Sequence, residues 1–181
     1  ENGVFNGNGG GIFKSVDGGK TWRQLSKGLP DNIVQANLAI APSATKTLFA
    51  AVKTKTIAKL YRSDDGGETW HGTTDDPRPG LGIGGGDLPV ARFDPKNPEI
   101  VYSASIVCWK STDGGKTWDG WRGAPGGDDY QNIWINPNNP DIILLGSDQG
   151  AIVTVTAARV GAPGIISRPR NCIMSARTTR F

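Results

Sequence analysis

The sequence is poor in the residues that most often build metal sites and covalent catalytic sites. Its 181 residues include two Cys and one His. A lone His71 excludes a zinc site with several histidine ligands. Because it directly follows Trp70 on a predicted strand, we expect it to face solvent and not to serve a histidine-based triad. Cys108 and Cys172 lack the spacing of a disulfide framework, and Cys108 lies in an apolar run that predicts burial. We therefore expect no metal site and no cofactor.

Long apolar runs and helical patterns are also missing. No apolar stretch approaches the roughly 20 residues that cross a bilayer, so no membrane span is predicted. The chain begins Glu1-Asn2-Gly3 without a Met or a charged-then-apolar leader, so we expect its ends to be cuts from a longer protein. No window spaces its apolar residues as a helix does. Glycine, with 26 residues, has about twice its usual share of roughly 7%, which favours many tight turns.

Residues 1–150 have no excess of positive charge, although the net charge of the whole chain is +3. The segment 151–181 holds five Arg and no acidic residue, so residues 1–150 carry 15 basic and 17 acidic groups. A nucleic-acid-binding protein would need a basic face across its fold, and the first 150 residues do not supply one. We expect no nucleic-acid partner. The composition changes near residue 155.

Three segments repeat almost letter for letter, with their first serines 48 residues apart. They contain the residues Ser15, Asp17, Gly19, Thr21, Trp22; Ser63, Asp65, Gly67, Thr69, Trp70; and Ser111, Asp113, Gly115, Thr117, Trp118. A Pro/Asn motif alternates with them, at 93–102, at 135–144 and, more weakly, at 40–49. Each unit predicts four short strands joined by turns, and a period of 40–50 residues with four strands is typical of a β-propeller blade.

The repeated aspartates are predicted to build turns and not to carry out acid–base chemistry. Asp-Gly favours a hairpin because glycine adopts positive φ at little cost. The carboxylate can accept backbone N–H groups within its own turn, and the Ser and Thr hydroxyls can close further bonds. The tryptophan that follows begins a strand and offers a large apolar area for burial.

The repeated segment resembles the Asp-box, or bacterial neuraminidase repeat. Its superfamily includes sialidases, xyloglucan-cleaving glycosidases and sortilin-type propellers, and the stretch 128–150 looks most like bacterial sortilin-like propellers often labelled glycosyl hydrolases. The resemblance covers residues 1–155. It implies an all-β partial propeller of about three four-stranded blades and the start of a fourth, a secreted or periplasmic location, and Asp-boxes on the rim away from the binding face.

The segment 156–181 departs from the repeat at the point where a fourth Asp-box is due. A shifted frame near codon 156 can encode Gly-Gly-Glu-Ser-Trp, so one hypothesis is a frameshift. The alternative is a native, disordered basic tail. Both predict poor packing for these residues, and neither assigns them a function.

Carboxylates are the remaining candidates for catalysis. The pairs 75–76 and 128–129 lie in predicted loops, and Asp148 follows a strand directly. Xyloglucan-cleaving propellers place a catalytic Asp in a similar Asp-x-Gly-Gly setting, which Asp148 matches except that Ala151 replaces the second Gly. In the first repeat the equivalent position is Asn8, which cannot act as an acid or base. Glycoside hydrolysis needs two carboxylates, and the sequence offers one at a matching place.

Two functions stay open at this point. The first, which the single matching carboxylate favours, is a non-catalytic segment that binds a protein or glycan on its loop face and is completed by the rest of the propeller. The second is a fragment of a glycoside hydrolase, xyloglucanase-like or sialidase-like, with Asp148 as one carboxylate. The glycine-rich loop, about 73–88, lacks the strand and helix of a dinucleotide site and is predicted to lie on the propeller face. The large aromatics are candidates for sugar stacking or for the core between blades: Tyr61, Trp109, Trp121, Tyr130, Trp134.

Overall fold

The structure is a computed structural model that describes residues 10–82, 87–123, 129–148 and 150–154. Asn8, Asp128, Cys172 and the predicted tail 156–181 lie outside the described residues. In the described part the chain is all-β apart from one 3-10 turn, Arg78–Gly80, as the absence of helical patterning predicts. No helix in this part is both long enough and apolar enough to cross a bilayer.

The strands form four antiparallel sheets in chain order, each sheet a meander in which consecutive strands pair. The first sheet has β1 (Ile12–Lys14) and β2 (Arg23–Leu25). The second has β3 (Gln35–Ala41), β4 (Ala44–Lys53), β5 (Ala58–Ser63) and β6 (His71–Gly72). The third has β7 (Val90–Phe93), β8 (Val101–Ala104), β9 (Cys108–Ser111) and β10 (Asp119–Arg122). The last has β11 (Tyr130–Ile135), β12 (Ile143–Ser147) and β13 (Gly150–Thr154). Two of the four sheets therefore have the predicted four strands.

The Pro/Asn motifs form the turns between the first two strands of a sheet. Asp94 accepts the backbone N–H groups of Lys96 (2.8 Å) and Asn97 (3.0 Å) with one carboxylate oxygen. Asn136 repeats this arrangement with the N–H groups of residues 138 and 139 in the last sheet. A short polar side chain that caps its own turn fixes the direction in which the next strand starts.

Strands β4 and β8 are buried on both faces, and successive side chains of a strand point to opposite sides of its sheet. In β4, Phe49 and Ala51 belong to the cluster shared with the third sheet, whereas Ala50 and Val52 belong to the cluster shared with the first sheet. A third cluster joins the third and last sheets through Tyr102, among others. Three apolar cores thus alternate with four sheets along the chain.

Each of the later two Asp-box tryptophans packs against the sheet that precedes it. Trp70 joins Ile12 and Leu25 of the first sheet, and Trp118 lies edge-on to Phe49 of the second sheet with ring centroids 6.0 Å apart. Trp22 belongs to the first described sheet, and it is 63% exposed. The box therefore contributes to the core between sheets as well as to its own hairpin.

Candidate functional site

The antiparallel meander separates the connections between strands into two ends of each sheet. The Asp-boxes join the third and fourth strands, and the Pro/Asn turns lie at the same end. The turns between the second and third strands lie at the opposite end, together with the connections that lead to the next sheet. We call this end the loop face, and its described residues include 26–34, 54–57, 74–82, 87–89, 105–107, Asp129 and Asp148.

The three boxes make the same hydrogen bonds. In the first box, Ser15 Oγ donates to Asp17 Oδ1 (2.8 Å) and accepts the N–H of Gly19 (2.8 Å). Asp17 accepts the Thr21 backbone N–H (2.9 Å) and hydroxyl (2.6 Å). The Trp22 indole donates to the Gly19 carbonyl (3.0 Å). The second and third boxes repeat these bonds to within 0.2 Å.

These bonds hold the box carboxylates in the ionised form. The side-chain and backbone donors of Thr21, followed by Ser15, lower the pKa of Asp17 to about 2. Thr69 and Ser63 lower the pKa of Asp65 in the same way. Partial burial opposes ionisation of Asp113, but its hydrogen bonds outweigh burial and lower its pKa to about 2. A carboxylate that accepts several donors in its own turn is poorly suited to take up a proton near neutral pH.

Asp148 lies at the loop face, in the turn between β12 and β13, and its side chain is exposed. The last register pair of β11 and β12 is Tyr130 with Ser147. Asp129 directly precedes this pair on one strand and Asp148 directly follows it on the other, so the two residues flank the same end of two paired strands. Sequence inspection named both residues but did not pair them, because they are 19 positions apart and their relation depends on the register of β11 and β12.

A backbone bond ties this carboxylate pair to the neighbouring sheet. The buried Tyr130 donates its N–H to the Ser105 carbonyl in the turn of the third sheet (3.0 Å). Within this turn, the backbone N–H and the hydroxyl of Ser105 both donate to the Val107 carbonyl. Asp129, next to Tyr130, therefore lies at the junction of the third and last sheets.

A second polar cluster on the loop face combines an ion pair with an aromatic ring. Arg78 donates from Nε and Nη2 to both carboxylate oxygens of Asp76, at 2.7 to 3.1 Å. Its guanidinium carbon lies 4.8 Å from the centre of the Trp109 ring. The next residue, Pro79, is buried, and its carbonyl accepts the buried hydroxyl of Ser103 (2.6 Å). This anchor holds the loop against β8.

The remaining candidates divide between core and surface. His71 is exposed on β6, as its position predicts, and Cys108 is buried, where desolvation raises the pKa of its thiol. Tyr61 and Tyr130 are buried in cores between sheets, Trp109 and Trp121 are partly buried, and Trp134 is exposed. Within the described ranges, no three His, Cys, Asp or Glu side chains are grouped to hold a metal ion.

Sequence inspection missed the role of Arg62. Its guanidinium is nearly buried and binds Asp64 (2.9 Å) in its own sheet and Glu99 (2.6 Å) in the next. Burial opposes the charge, but the two carboxylates raise the pKa of Arg62 overall. The available signal was a basic residue before each box serine: Lys14, Arg62, Lys110.

Comparison with known proteins identifies the repeat and the fold. The model of the BNR/Asp-box repeat family matches residues 61–71. A Paenibacillus xyloglucanase is 26% identical over 145 residues, which cover 66% of this chain and 14% of that protein. The xyloglucanase Xgh74A of Acetivibrio thermocellus is 28% identical over 143 residues, which cover 65% of this chain and 17% of that protein. The chain thus spans about a sixth of the length of these curated relatives.

Among solved structures, the GH74 xyloglucanase of Xanthomonas campestris superposes with a TM-score of 0.63 and 21% identity. The match covers 89% of this chain and 28% of that one. The GH74 enzyme of Niastella koreensis gives a TM-score of 0.50 at 17% identity, over 67% of this chain and 21% of that one. The chain carries Asp-box repeats, its fold is that of a partial β-propeller, and its relatives are glycoside hydrolases. The predicted superfamily and fold class are confirmed.

Proposed function

We propose that this Asp-box propeller segment supplies part of the substrate face of a glycoside hydrolase that acts on a xyloglucan-type β-glucan. The observation that carries the proposal is an exposed carboxylate, Asp148, at the loop face of a chain whose curated relatives are xyloglucanases. Because the box carboxylates lie at the opposite end and are bound in their turns, they do not compete for this role.

The chemistry requires two carboxylates on either side of the glycosidic bond, one as a general acid and one as a base or nucleophile. Their separation is about 5 to 9.5 Å, depending on the stereochemical course. We assign one role to Asp148. Asp129 directly precedes the strand that pairs with β12, and it is the candidate from this chain for the second role. A carboxylate from another part of a longer protein is the alternative.

A second candidate function is glycan binding without cleavage, in a secreted or periplasmic protein. The Asp76–Arg78 pair on Trp109 favours it, because the pair presents an acceptor and donors side by side above an aromatic ring. Adjacent hydroxyls of a sugar need this combination of donor and acceptor.

The test is hydrolysis and binding of xyloglucan by the natural protein that contains this segment, compared with its Asp148→Asn and Asp129→Asn variants. Removal of a general acid or base lowers kcat by about 10²- to 10⁴-fold. Asp75→Asn is the matched control, since Asp75 lies on the same face but is fully exposed. Parent-level hydrolysis by Asp148→Asn contradicts the assignment. Binding without hydrolysis by the parent favours the second candidate.

A further inference from the structure

The chain contains four Asp-Gly pairs, of which three lie in the Asp-boxes and the fourth, Asp119-Gly120, lies in β10. In such a pair the backbone nitrogen of the glycine can attack the side-chain carboxyl carbon of the aspartate, because glycine has no side chain to obstruct the approach. The attack requires a carboxyl group that can turn toward this nitrogen and a glycine N–H without a hydrogen-bond partner. The four pairs differ in both respects.

The box hydrogen bonds hold the aspartates of the first three pairs away from this attack. Each carboxylate accepts the backbone N–H and the hydroxyl of the threonine four residues later, at 2.9 and 2.6 Å. The hydroxyl of the box serine donates to it as well, at 2.8 Å. These donors favour the ionised form. An ionised carboxylate resists a nucleophile, because its oxygen does not leave as water.

The glycine N–H groups of two boxes are also bonded. Gly66 donates its N–H to the Lys46 carbonyl (2.8 Å), and Gly114 donates its N–H to the Glu99 carbonyl (2.9 Å). Among the described residues, the N–H of Gly18 has no such acceptor. The second and third boxes therefore block both reacting groups, whereas the first box blocks only the carboxylate.

The carboxylate of Asp119 has none of these constraints. Asp119 is exposed, and its side chain accepts no hydrogen bond from the described part of the chain. Exposure alone does not distinguish it, since Asp17 and Asp65 are exposed too. The difference lies in the hydrogen bonds that fix the box carboxylates and are lacking at Asp119.

The N–H of Gly120 points toward the outer edge of its sheet. Gly72, 48 residues earlier, holds the same register position in the second sheet, where the N–H of the next residue, Thr73, donates across the ladder to the Leu60 carbonyl. Because N–H directions alternate along a strand, the N–H of Gly72 points away from the partner strand, and the equivalent Gly120 has the same orientation. β10 is the outer strand of its described sheet, and its register shifts directly after Gly120. The nitrogen of Gly120 is thus available for the attack.

We propose that Asp119-Gly120 is a site of spontaneous backbone modification, at which Asp119 converts to isoaspartate through a cyclic succinimide. The Gly120 nitrogen loses its proton and bonds to Cγ of the protonated Asp119 carboxyl group, and one water molecule leaves. A second water molecule then opens the ring. Its addition at Cγ restores aspartate, and its addition at the backbone carbonyl carbon gives isoaspartate, in which the chain continues through the side chain.

The reaction releases one water molecule and consumes one, so it needs no oxidant and no further reactant. Isoaspartate adds one atom to the backbone of β10, which displaces Trp121 from its edge-on contact with Tyr102. The modification therefore loosens the outer strand of the third sheet. The proposal does not depend on the hydrolase function.

The experiment follows all four Asp-Gly pairs in one sample. The natural protein that contains this segment is incubated in H₂¹⁸O at mildly acidic pH, where a free carboxyl group is partly protonated. Peptide mapping by mass spectrometry, with electron-transfer fragmentation, then locates ¹⁸O and isoaspartate. We expect both to accumulate at Asp119 about tenfold or more faster than at Asp65 and Asp113, because a box must first break its hydrogen bonds. Asp17 should lie between these limits.

Three comparisons separate the effect of the fold from that of the sequence. Gly120→Val is the matched variant, since Gly120 is not among the described glycines with positive φ and a β-branched residue suits an exposed strand position. It should reduce labelling at Asp119 to the level of the boxes. Thr21→Val should raise labelling at Asp17. In urea, all four pairs should be labelled at similar rates. Labelling at Asp119 no faster than at Asp65 in the folded protein, or an equal preference for Asp119 in urea, would overturn the proposal.

Discussion

At the scale of single residues, the Asp-box is a self-contained hydrogen-bonded turn. Its carboxylate, two hydroxyls, indole and turn glycines satisfy one another within eight residues. Bonds of this kind are short-range and form in the same way in all three copies. Their electrostatic signature is a carboxylate that stays ionised at low pH.

The acid titration of Asp17 tests this local network. Its pKa of about 2 lies below the ordinary value of 3.8, so the stabilisation is present above pH 3.8 and is lost as the pH falls toward 2. Removal of the largest cause, in Thr21→Val, should return the pKa toward 3.8 in a ¹³C carboxyl titration. Thr69→Val acts in the second box and should leave Asp17 unchanged. An unaltered Asp17 titration in Thr21→Val would contradict the assignment.

The first of the two turn glycines in each box distinguishes backbone strain within the turn from contact with the neighbouring sheet. Gly18 and Gly114 hold the same box position with φ of +72° and +74°. Among the described residues, no atom lies within 4 Å of a Cβ at Gly18, whereas a Cβ at Gly114 would overlap Arg62. Gly18→Ala should therefore cost about 1–2 kcal/mol of unfolding free energy, the left-handed backbone penalty.

Gly114→Ala should cost clearly more than Gly18→Ala, because Arg62 must also move away from Glu99. Urea unfolding with constant m-values measures both costs. The pair Gly114→Ala with Arg62→Ala should recover part of the difference. Equal costs for the two alanine variants would show that the Arg62 contact does not constrain the turn.

At the scale of elements, the sheets are held together by packing of box tryptophans against the preceding sheet and by an ion pair between sheets. Trp118 and Trp70 fill the cores between sheets, and Arg62 with Glu99 bridges the same boundary at its polar edge. Apolar burial supplies most of the stabilisation, at roughly 25 cal/mol per Å². The nearly buried Arg62 guanidinium binds Asp64 in its own sheet and Glu99 in the next, so the ion pair joins the two sheets at this edge.

The tryptophans of the first and third boxes isolate this packing contribution. Both donate their indole N–H to the box glycine, but Trp118 is 6% exposed and Trp22 is 63% exposed. Trp118→Ala should cost about 3–5 kcal/mol of unfolding free energy, as for a large aromatic in a core. Trp22→Ala should cost much less, because only the local bond is lost. Thermal and urea unfolding of the two variants measure the difference, and equal losses would contradict it.

At the scale of the whole molecule, the meander places the Asp-boxes and the candidate functional residues at opposite ends of the sheets. The boxes lie at one end of the sheets, and Asp148, Asp129 and the Asp76–Arg78 pair lie at the other. Loops on a rigid sheet scaffold are where binding and catalytic residues usually lie. The two ends should therefore respond differently to loss of a carboxylate.

In the natural protein, Asp148→Asn should lower xyloglucan hydrolysis by about 10²-fold or more and leave the melting temperature unchanged. Asp113→Asn should lower the melting temperature and leave kcat per folded molecule unchanged. Parallel measurement of melting and initial rates tests both expectations. A stable, inactive Asp113→Asn variant would place catalytic chemistry at the box end instead.

The sequence alone determined the features that rest on local interactions. The all-β fold, the positions of the hairpins and the Asp-box superfamily follow from residues within one turn or one strand, and the comparisons confirm the superfamily and the fold class. The burial of Cys108 was also predicted, since it lies in an apolar run. The function and the catalytic role of Asp148 stay proposals.

Only the tertiary structure decided which residues meet across sheets. Trp22 and Trp118 share a motif yet differ in burial, because burial depends on the neighbouring sheet. The register of β11 and β12 brings Asp129 beside Asp148, and the packing of two sheets brings Arg62 to Glu99. These pairs are 19 and 37 positions apart in the sequence. The 48-residue repeat indicates that units are equivalent, but only their packing decides what each side chain touches.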